Sequence, residues 1–332
     1  MSDMSYQKDR YWEKYQPFFP PHLRTTDTCQ PEEGWWQWNG INVHLDRQTA
    51  DNAKPIKIIL LHGGGGHGRL LAPLGKMLKR EGYSSVAPDL PGYGMTKSPA
   101  RYVDYREWIN LCVDLVKAEV ARDGHPVVLF GLSLGGMLSY YVAAKIQQEA
   151  QSQSAPNNSP VCGLIVTTLC DPRYQEVRDG FVKNRFLSRW LLPVTNLLKP
   201  LIGSLRLPIR WFSKMDSIAN TDNLSRVVLQ DRRGGGSLTP ISFMLSIMNT
   251  TPAVEPEHFH GCPLLLAHPA RDLWTPYALS EPFFERLNTP KELVLLAQAG
   301  HIPVEEPGLS QLHKAVTGFL AELAPEYKET TS

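Results

Sequence analysis

The sequence predicts an α/β protein in which helices cover both faces of a mostly parallel sheet, with a helical cap inserted near the middle of the chain. Short, nearly continuous apolar runs alternate with stretches of helical period, and this pattern is typical of a parallel sheet buried on both faces. The alternation stops at about residue 171 and returns at about residue 259. We therefore interpret residues 1–170 and 259–332 as one α/β core and residues 171–258 as the cap.

The predicted elements follow one another in a regular order. Residues 35–48 alternate apolar and polar side chains around Asn39-Gly40, which predicts a β-hairpin. Further strands are predicted at residues 56–61, 83–88, 126–130, 162–169, 263–267 and 292–296. Helices are predicted at residues 70–79, 105–122 and 134–148, and at the C-terminal segment LSQLHKAVTGFLAEL. Within the insertion the strand signal disappears, and prolines interrupt its helical runs.

Composition excludes several classes of protein. A chain of 332 residues, 42% of them hydrophobic, can bury a large core. A net charge of +1 without a long basic block gives no reason to expect a nucleic-acid partner. The five cysteines lack zinc-binding spacing, so we interpret them as free thiols. We expect a cytoplasmic protein, because no apolar run is long enough to span a bilayer and the N-terminus lacks a signal peptide's apolar region.

A candidate nucleophile lies between an apolar strand and a helix. Residues 131–135 read Gly-Leu-Ser-Leu-Gly, a G-x-S-x-G sequence in the strand-turn-helix context where such a serine is raised above the sheet edge. Glycines flank Ser133 because side chains there would collide with the neighbouring strand and helix. The pattern therefore predicts Ser133 as a catalytic nucleophile.

A serine nucleophile needs a base, and the base needs a group that orients it. In chains with this type of turn, the acid and then the histidine follow the nucleophile in sequence. His301 lies in a loop after the last predicted strand, so we interpret it as the general base. Asp272 follows the PLLLA strand and is the favoured acid. Asp171, which ends the preceding strand, is the alternative.

The glycine-rich segment at residues 62–68, His-Gly-Gly-Gly-Gly-His-Gly, follows the first apolar strand. Attack on an ester carbonyl creates an oxyanion that needs preplaced N–H donors. We predict the backbone N–H groups of Gly64 and Leu134 as these donors.

The same segment supports a second interpretation. Gly63, Gly65 and Gly68 fit G-x-G-x-x-G, and Asp89 follows about 20 residues later, as in a dinucleotide site. This interpretation leaves the serine turn, the late aspartate and the late histidine unexplained. We therefore expect neither a nucleotide cofactor nor a bound metal.

These motifs together resemble the α/β-hydrolase family from about Ile56 to the C-terminus. HGGGGHG resembles the family's oxyanion loop, PDLPGYG the loop after its next strand, GLSLGG its nucleophile turn and AGHIPVEEP its histidine loop. The resemblance implies the α/β-hydrolase fold. The arrangement of the motifs is similar to that in monoacylglycerol-lipase-like esterases. It implies a serine hydrolase that cleaves small-molecule carboxylic esters, lipid-like or short, through an acyl-serine intermediate.

Departures from the family narrow this expectation. Leu132 stands where many lipases carry histidine, and the glycine loop lacks the proline of proline iminopeptidases. Serine at position 133 argues against haloalkane dehalogenases and epoxide hydrolases, which use aspartate there. Two alternatives remain open: a non-hydrolytic member such as a lyase or perhydrolase, and a binding protein with a vestigial triad.

The cap carries basic residues interleaved with apolar ones. The segment from residue 178 to residue 214 contains eight lysines and arginines but only one acidic residue, Asp179. One interpretation is a structural cap with a solvated basic face. The other is a mobile lid that forms an acyl pocket and transiently contacts a lipid surface. Sequence alone does not decide between them, and it leaves the oligomeric state open.

Overall fold

The computed structural model describes residues 4–26, 29–152, 159–184, 189, 192–211 and 213–323. Four apolar residues of the predicted cap, Phe186, Leu187, Trp190 and Leu191, lie outside these ranges. Within the described ranges, no helix is both long and apolar enough to cross a membrane. All five cysteines are free thiols, and four of them are buried.

An eight-stranded sheet in the order β1-β2-β4-β3-β5-β6-β9-β10 forms the centre of the fold. Its strands are β1 Glu32–Trp38, β2 Ile41–Gln48, β3 Lys57–Leu61, β4 Ser84–Pro88, β5 Val127–Gly131, β6 Val161–Val166, β9 Leu264–Pro269 and β10 Lys291–Leu296. The β1–β2 and β2–β4 pairs are antiparallel, and all the other pairs are parallel. The predicted mostly parallel sheet is confirmed. The predicted hairpin turns at Asn39-Gly40, both with positive φ (45° and 81°).

Helices cover both faces of this sheet. The α-helices are α1 Ala72–Arg80, α2 Tyr105–Asp123, α3 Leu134–Ser152, α4 Gln175–Phe181, α5 Leu192–Ile202, α6 Asp222–Gln230, α7 Ile241–Asn249, α8 Glu281–Arg286 and α9 Gly308–Leu323. On β3, Ile59 and Leu61 face the core that holds α2 and α3, whereas Ile58 and Leu60 face the core that holds α1 and α9. Because successive side chains of a strand point to opposite faces of the sheet, this fully buried strand contributes side chains to two separate cores.

The segment between β6 and β9, which includes the predicted cap, contains α4 to α7 and two strands. The prediction of no strands there is wrong: β7 Arg206–Pro208 and β8 Leu238–Pro240 form an antiparallel pair. Each strand has three residues and ends in proline, so neither is long enough to show the alternation that identifies strands in a sequence. From this segment, Phe243 and Ile247 of α7 pack into the core beside α2 and α3.

An N-terminal segment that the sequence did not predict packs on the rest of the fold. It contains a 3₁₀ helix at Tyr11–Phe18, which contacts α6. The segment is held by buried polar contacts: the Tyr6 hydroxyl donates to Asp89 Oδ2 (2.8 Å) and lies 2.8 Å from His67 Nδ1. His67 Nε2 is in turn 3.2 Å from Asp231 Oδ2 in the cap. These contacts join the N-terminus, the core and the cap.

The buried His44 imidazole extends the network, lying 3.0 Å from Glu33 Oε2 and 3.2 Å from Asp89 Oδ2. Burial lowers the pKa of His44, but the contacts with Asp89 and Glu33 outweigh this effect and raise the pKa to about 10. The imidazolium therefore neutralises the fully buried Asp89 carboxylate, whereas Glu33 also pairs with Arg69.

This raised pKa gives a pH-dependent stability. Because the folded pKa lies above the ordinary value of 6.5, the stabilisation is complete below about pH 6.5 and is lost as pH rises through about 10. We expect His44→Gln to lower the free energy of unfolding at pH 7 by more than about 1.4 kcal/mol, the value of one pKa unit. The difference from wild type should shrink at pH 10, as measured by urea unfolding.

The matched control is His313→Gln, because His313 pairs with Glu81 at the surface and is 44% exposed. Its stability profile should follow that of the wild type. If His44→Gln and wild type gave parallel profiles between pH 7 and 10, the buried imidazolium would be rejected.

Candidate active site

The turn between β5 and α3 holds Ser133 in a conformation that few residues adopt. Its φ is 55°, in the left-handed region. A Cβ on Gly131 would lie 2.0 Å from the Gly135 carbonyl oxygen, and one on Gly135 would lie 2.2 Å from the Leu61 carbonyl oxygen. Only glycine fits at these two positions, so the predicted steric reason for both flanking glycines holds in the fold.

The structure brings together the three side chains proposed as a triad. Ser133 Oγ lies 2.7 Å from His301 Nε2, and His301 Nδ1 lies 2.7 Å from Asp272 Oδ2. Each comes from a loop after a different strand, β5, β9 or β10, at the carboxyl edge of the sheet. This geometry allows the serine proton to pass to His301 while Asp272 holds the other ring nitrogen.

Asp272 is fixed by its own loop. Its Oδ1 accepts the backbone N–H groups of Trp274 and Thr275, both at 2.8 Å, and its Oδ2 accepts the Thr275 hydroxyl at 2.7 Å. Burial raises the pKa of Asp272, but the neighbouring His301 and these hydrogen bonds outweigh burial and hold the pKa below its ordinary range. The carboxylate is therefore ionised at neutral pH and can stabilise an imidazolium.

Thr275 was not identified from the sequence. Its Oγ1 also lies 3.1 Å from His301 Nδ1, so it contacts both partners of the Asp–His pair. A threonine three residues after the aspartate was the only signal that the sequence contained.

The alternative acid, Asp171, is engaged elsewhere. It is fully buried, and both of its carboxylate oxygens accept from the Arg173 guanidinium, at 2.8–3.1 Å. Arg173 also pairs with Glu255. In this arrangement Asp171 anchors an ion-pair cluster and does not contact His301.

The predicted oxyanion donors both border Ser133. Gly64 and Leu134 line the same cavity as the serine, and a Cβ on Gly64 would be 3.7 Å from the Leu134 side chain. Neither N–H group donates a hydrogen bond to any described residue. Both groups are thus available to an oxygen bound beside Ser133.

His62 shapes the glycine loop in a way the sequence did not predict. The Leu90 N–H donates to His62 Nε2 (3.0 Å), so the proton of the neutral ring lies on Nδ1, which donates to the Gly63 carbonyl (2.8 Å). Burial lowers the pKa of His62 to about 4, so the ring is neutral at pH 7. The ring therefore fixes the carbonyl that precedes Gly64.

Two apolar pockets meet at Ser133. The first, called here the cap pocket, has a volume of about 80 Å³ and lies against α7. Its lining includes Met137, Phe243, Met244, Ile247 and Met248. The second, called the histidine pocket, has a volume of about 100 Å³ and includes His301 in its lining.

The dinucleotide interpretation of the glycine loop finds no support in this geometry. Asp89 is fully buried, and its carboxylate accepts from the N–H groups of Gly68 and Met95, both at 2.7 Å, and from Tyr6. It therefore ties the loop to the N-terminus and is not exposed to a ribose.

The fold and the Ser–His–Asp arrangement are those of an α/β hydrolase, and comparison with known proteins agrees. The model of the alpha/beta hydrolase family matches residues 58–309. The chain therefore belongs to the alpha/beta hydrolase family. The predicted α/β-hydrolase fold and the resemblance to esterases and monoacylglycerol lipases are both confirmed.

Two curated relatives match parts of the chain. A pimeloyl-[acyl-carrier protein] methyl ester esterase from Xanthomonas oryzae is 34% identical over 91 residues, 27% of this chain and 32% of the esterase. A haloalkane dehalogenase from Psychrobacter cryohalolentis is 26% identical over 132 residues, 38% of this chain and 39% of the dehalogenase. The matches thus span about a third of the esterase's length and about two fifths of the dehalogenase's.

Among solved structures, a monoglyceride lipase from Saccharomyces cerevisiae superposes with a TM-score of 0.68. It is 18% identical, and the superposition covers 92% of this chain and 99% of the lipase. At this identity the likeness concerns the fold. Together the comparisons support hydrolase activity.

Asp272 and Asp171 have different surroundings, so replacing each of them by asparagine should have different effects. Asp272→Asn should keep the site's shape but favour the wrong histidine tautomer, which lowers kcat by roughly 10⁴-fold. Asp171→Asn is the matched control. It should weaken the Arg173 cluster and therefore lower the melting temperature, with little change in kcat. Initial rates and thermal unfolding of both variants test this, and a 10⁴-fold loss in Asp171→Asn alone would contradict it.

Proposed function

We propose that this protein is a serine carboxylic ester hydrolase. Ser133 Oγ attacks the ester carbonyl while His301 Nε2 accepts its proton, and the resulting oxyanion lies against the N–H groups of Gly64 and Leu134. His301 then donates that proton to the oxygen of the departing alcohol, leaving an acyl-serine. Water, deprotonated by His301, attacks the acyl-serine and releases the acid and Ser133.

The observation that carries the proposal is the continuous Ser133–His301–Asp272 chain, with 2.7 Å at each contact. Apolar pockets on either side of the serine support an ester with apolar groups. The esterase relative supports ester cleavage but matches too little of its length to indicate the substrate.

The dehalogenase relative suggests a second reaction, which the nucleophile disfavours. Displacement of a halide by a serine would leave an alkyl ether on the enzyme, and water does not hydrolyse such an ether. A carboxylate nucleophile forms an alkyl ester instead, which water can hydrolyse. An acyl-serine ester, by contrast, is hydrolysed by the same histidine that formed it. Ser133 therefore favours acyl transfer.

A fluorophosphonate probe and a p-nitrophenyl butanoate assay test the proposal. Wild type should be labelled at Ser133 and should release acid and alcohol in equal amounts. Ser133→Ala should fold normally, escape labelling and lose roughly 10⁴- to 10⁶-fold in kcat. Retention of most activity by pure Ser133→Ala would reject the assignment, and labelling without ester turnover would favour a non-hydrolytic member of the family.

We also propose that the cap contacts an anionic lipid surface. Leu197 and Leu201 lie one turn apart on α5 and are 81% and 78% exposed, and Leu205 just beyond the helix is 53% exposed. Lys199 and Arg206, also exposed, lie among them. Exposed leucines beside cations are typical of segments that rest in the headgroup region of a membrane.

The paired substitution Leu197→Ser with Leu201→Ser should weaken binding to phosphatidylserine-containing vesicles by about tenfold or more. The reason is that the bound protein would no longer bury these two leucine side chains in the membrane. Vesicle co-sedimentation measures this, and turnover of a dissolved ester should not change. Leu295→Ser is the matched control, since Leu295 is exposed on β10 in the core sheet. Equal binding by wild type and the paired variant would reject the lipid contact.

A further inference from the structure

The histidine pocket lies on the side of Ser133 from which the alcohol must leave. His301 lines this pocket but not the cap pocket. In ester cleavage the histidine that accepts the serine proton returns it to the leaving oxygen, so that oxygen must lie within hydrogen-bond distance of Nε2. The alcohol part of the substrate therefore enters the histidine pocket, and the acyl part enters the cap pocket.

Two residues of the N-terminal segment, Tyr15 and Phe19, form part of the wall of the histidine pocket. Both precede residues 58–309, the range matched by the family model. Tyr15 is buried, and its hydroxyl donates to Asp231 Oδ2 at 3.1 Å. Leu224 and Val228 of α6 also line the pocket, and they share one apolar cluster with Tyr15.

The chemistry of the lining defines what the pocket can bind. Among the described residues that line it there is no Asp, Glu, Lys or Arg. The Tyr15 hydroxyl is bound to Asp231, and both ring nitrogens of His62 are engaged. The remaining polar side chains of the lining, Ser133 and His301, take part in the reaction. A free hydroxyl of a polyol alcohol would thus lose its water and find no uncommitted side-chain donor to replace it, which is unfavourable.

We propose that the N-terminal segment completes the alcohol subsite and makes the enzyme selective for esters of hydrocarbon alcohols over esters of glycerol or charged alcohols. The proposal rests on the ester hydrolase function proposed above. In the reaction, water and the ester give a carboxylic acid and an alkanol, with His301 returning the serine proton to the alkanol oxygen.

A series of butanoate esters tests the proposal on the wild-type protein. The alcohols are methanol, propan-1-ol, pentan-1-ol and glycerol esterified at one primary hydroxyl. Simple alkanols are similar leaving groups, so differences among them report binding of the chain. We expect kcat/KM to rise roughly tenfold for each two methylenes until the pocket is filled.

The propyl and glyceryl esters form a matched pair, since both alcohols have three carbons and differ by two hydroxyl groups. We expect the propyl ester to be hydrolysed with at least a tenfold higher kcat/KM. A glyceryl ester hydrolysed as well as the propyl ester, or a flat alkyl series, would overturn the hydrocarbon-alcohol subsite even if the protein is an active esterase.

Variants then test the role of the N-terminal segment. Phe19→Ala should lower the ratio of kcat/KM for pentyl over methyl butanoate by about tenfold, and Phe19→Leu should retain most of that ratio. Phe18→Ala is the matched control, because Phe18 is the neighbouring phenylalanine and is also partly buried, but it does not itself line the pocket. Equal ratios in Phe19→Ala, Phe18→Ala and wild type would overturn the N-terminal wall.

Failure of the ester hydrolase function gives a different result from failure of this proposal. A protein that hydrolyses none of the esters and is not labelled at Ser133 by a fluorophosphonate would reject both. A labelled protein that hydrolyses every alkyl ester at the same rate would reject the alcohol subsite alone. Thermal unfolding of each variant separates loss of the pocket wall from loss of the fold. If Phe19→Ala is unstable, Phe19→Trp provides the readout, because a larger side chain in the wall should fill the pocket and lower the ratio for pentyl over methyl butanoate.

Discussion

The close approach of backbone around Ser133 is the constraint on which the rest of the site depends. With φ at 55°, the serine occupies a region that costs on the order of 1–3 kcal/mol for a residue with a side chain. Neighbouring groups offset this cost: the Ser133 N–H donates to the Thr167 hydroxyl, and the Ser133 carbonyl accepts from Thr168, both at 2.9 Å. The carboxyl end of β6 thus holds the turn, and the position of Oγ follows from it.

Once the serine is fixed, each remaining group of the site must reach it from a different strand end. The glycine loop after β3, the Asp272 loop after β9 and the His301 loop after β10 all lie at the same edge, because these strands are parallel to β5. Two of these loops are stiffened by local hydrogen bonds: the Thr275 N–H donates to the Asp272 carboxylate, and His62 Nδ1 donates to the Gly63 carbonyl. The geometry therefore requires little further ordering when a substrate binds.

Local sequence patterns explain how much of this was predictable. The core strands, the hairpin and the serine turn each have a pattern within a few residues, and the structure places Ser133, Asp272 and His301 in contact. The sequence pattern favoured Asp272 but left Asp171 as an alternative, because both follow strands of the same sheet. The choice between them depends on the partner that each carboxylate finds after folding, Arg173 for one and His301 for the other.

The N-terminal contacts were not predictable for a related reason. Tyr6 and Asp89 are 83 positions apart in the chain, and Tyr15 and Asp231 are 216 apart. No local pattern relates such residues, and a tyrosine in a polar N-terminal segment resembles any surface tyrosine. The three-residue strands β7 and β8 were missed because they are too short to show a period.

A single buried carboxylate, Asp231, connects the wall of the histidine pocket to the glycine loop. Asp231 Oδ2 accepts the Tyr15 hydroxyl at 3.1 Å and lies 3.2 Å from His67 Nε2, and His67 belongs to the glycine loop that carries Gly64. Displacing the wall would therefore break a hydrogen bond at a buried charge, which costs more than the loss of apolar contact alone. The distance between the wall and Ser133 is consequently fixed by the same group that orders the loop. A wall held in this way supports the proposed discrimination among alcohols by size and polarity, because moving it to accommodate a larger or more polar alcohol would break that hydrogen bond.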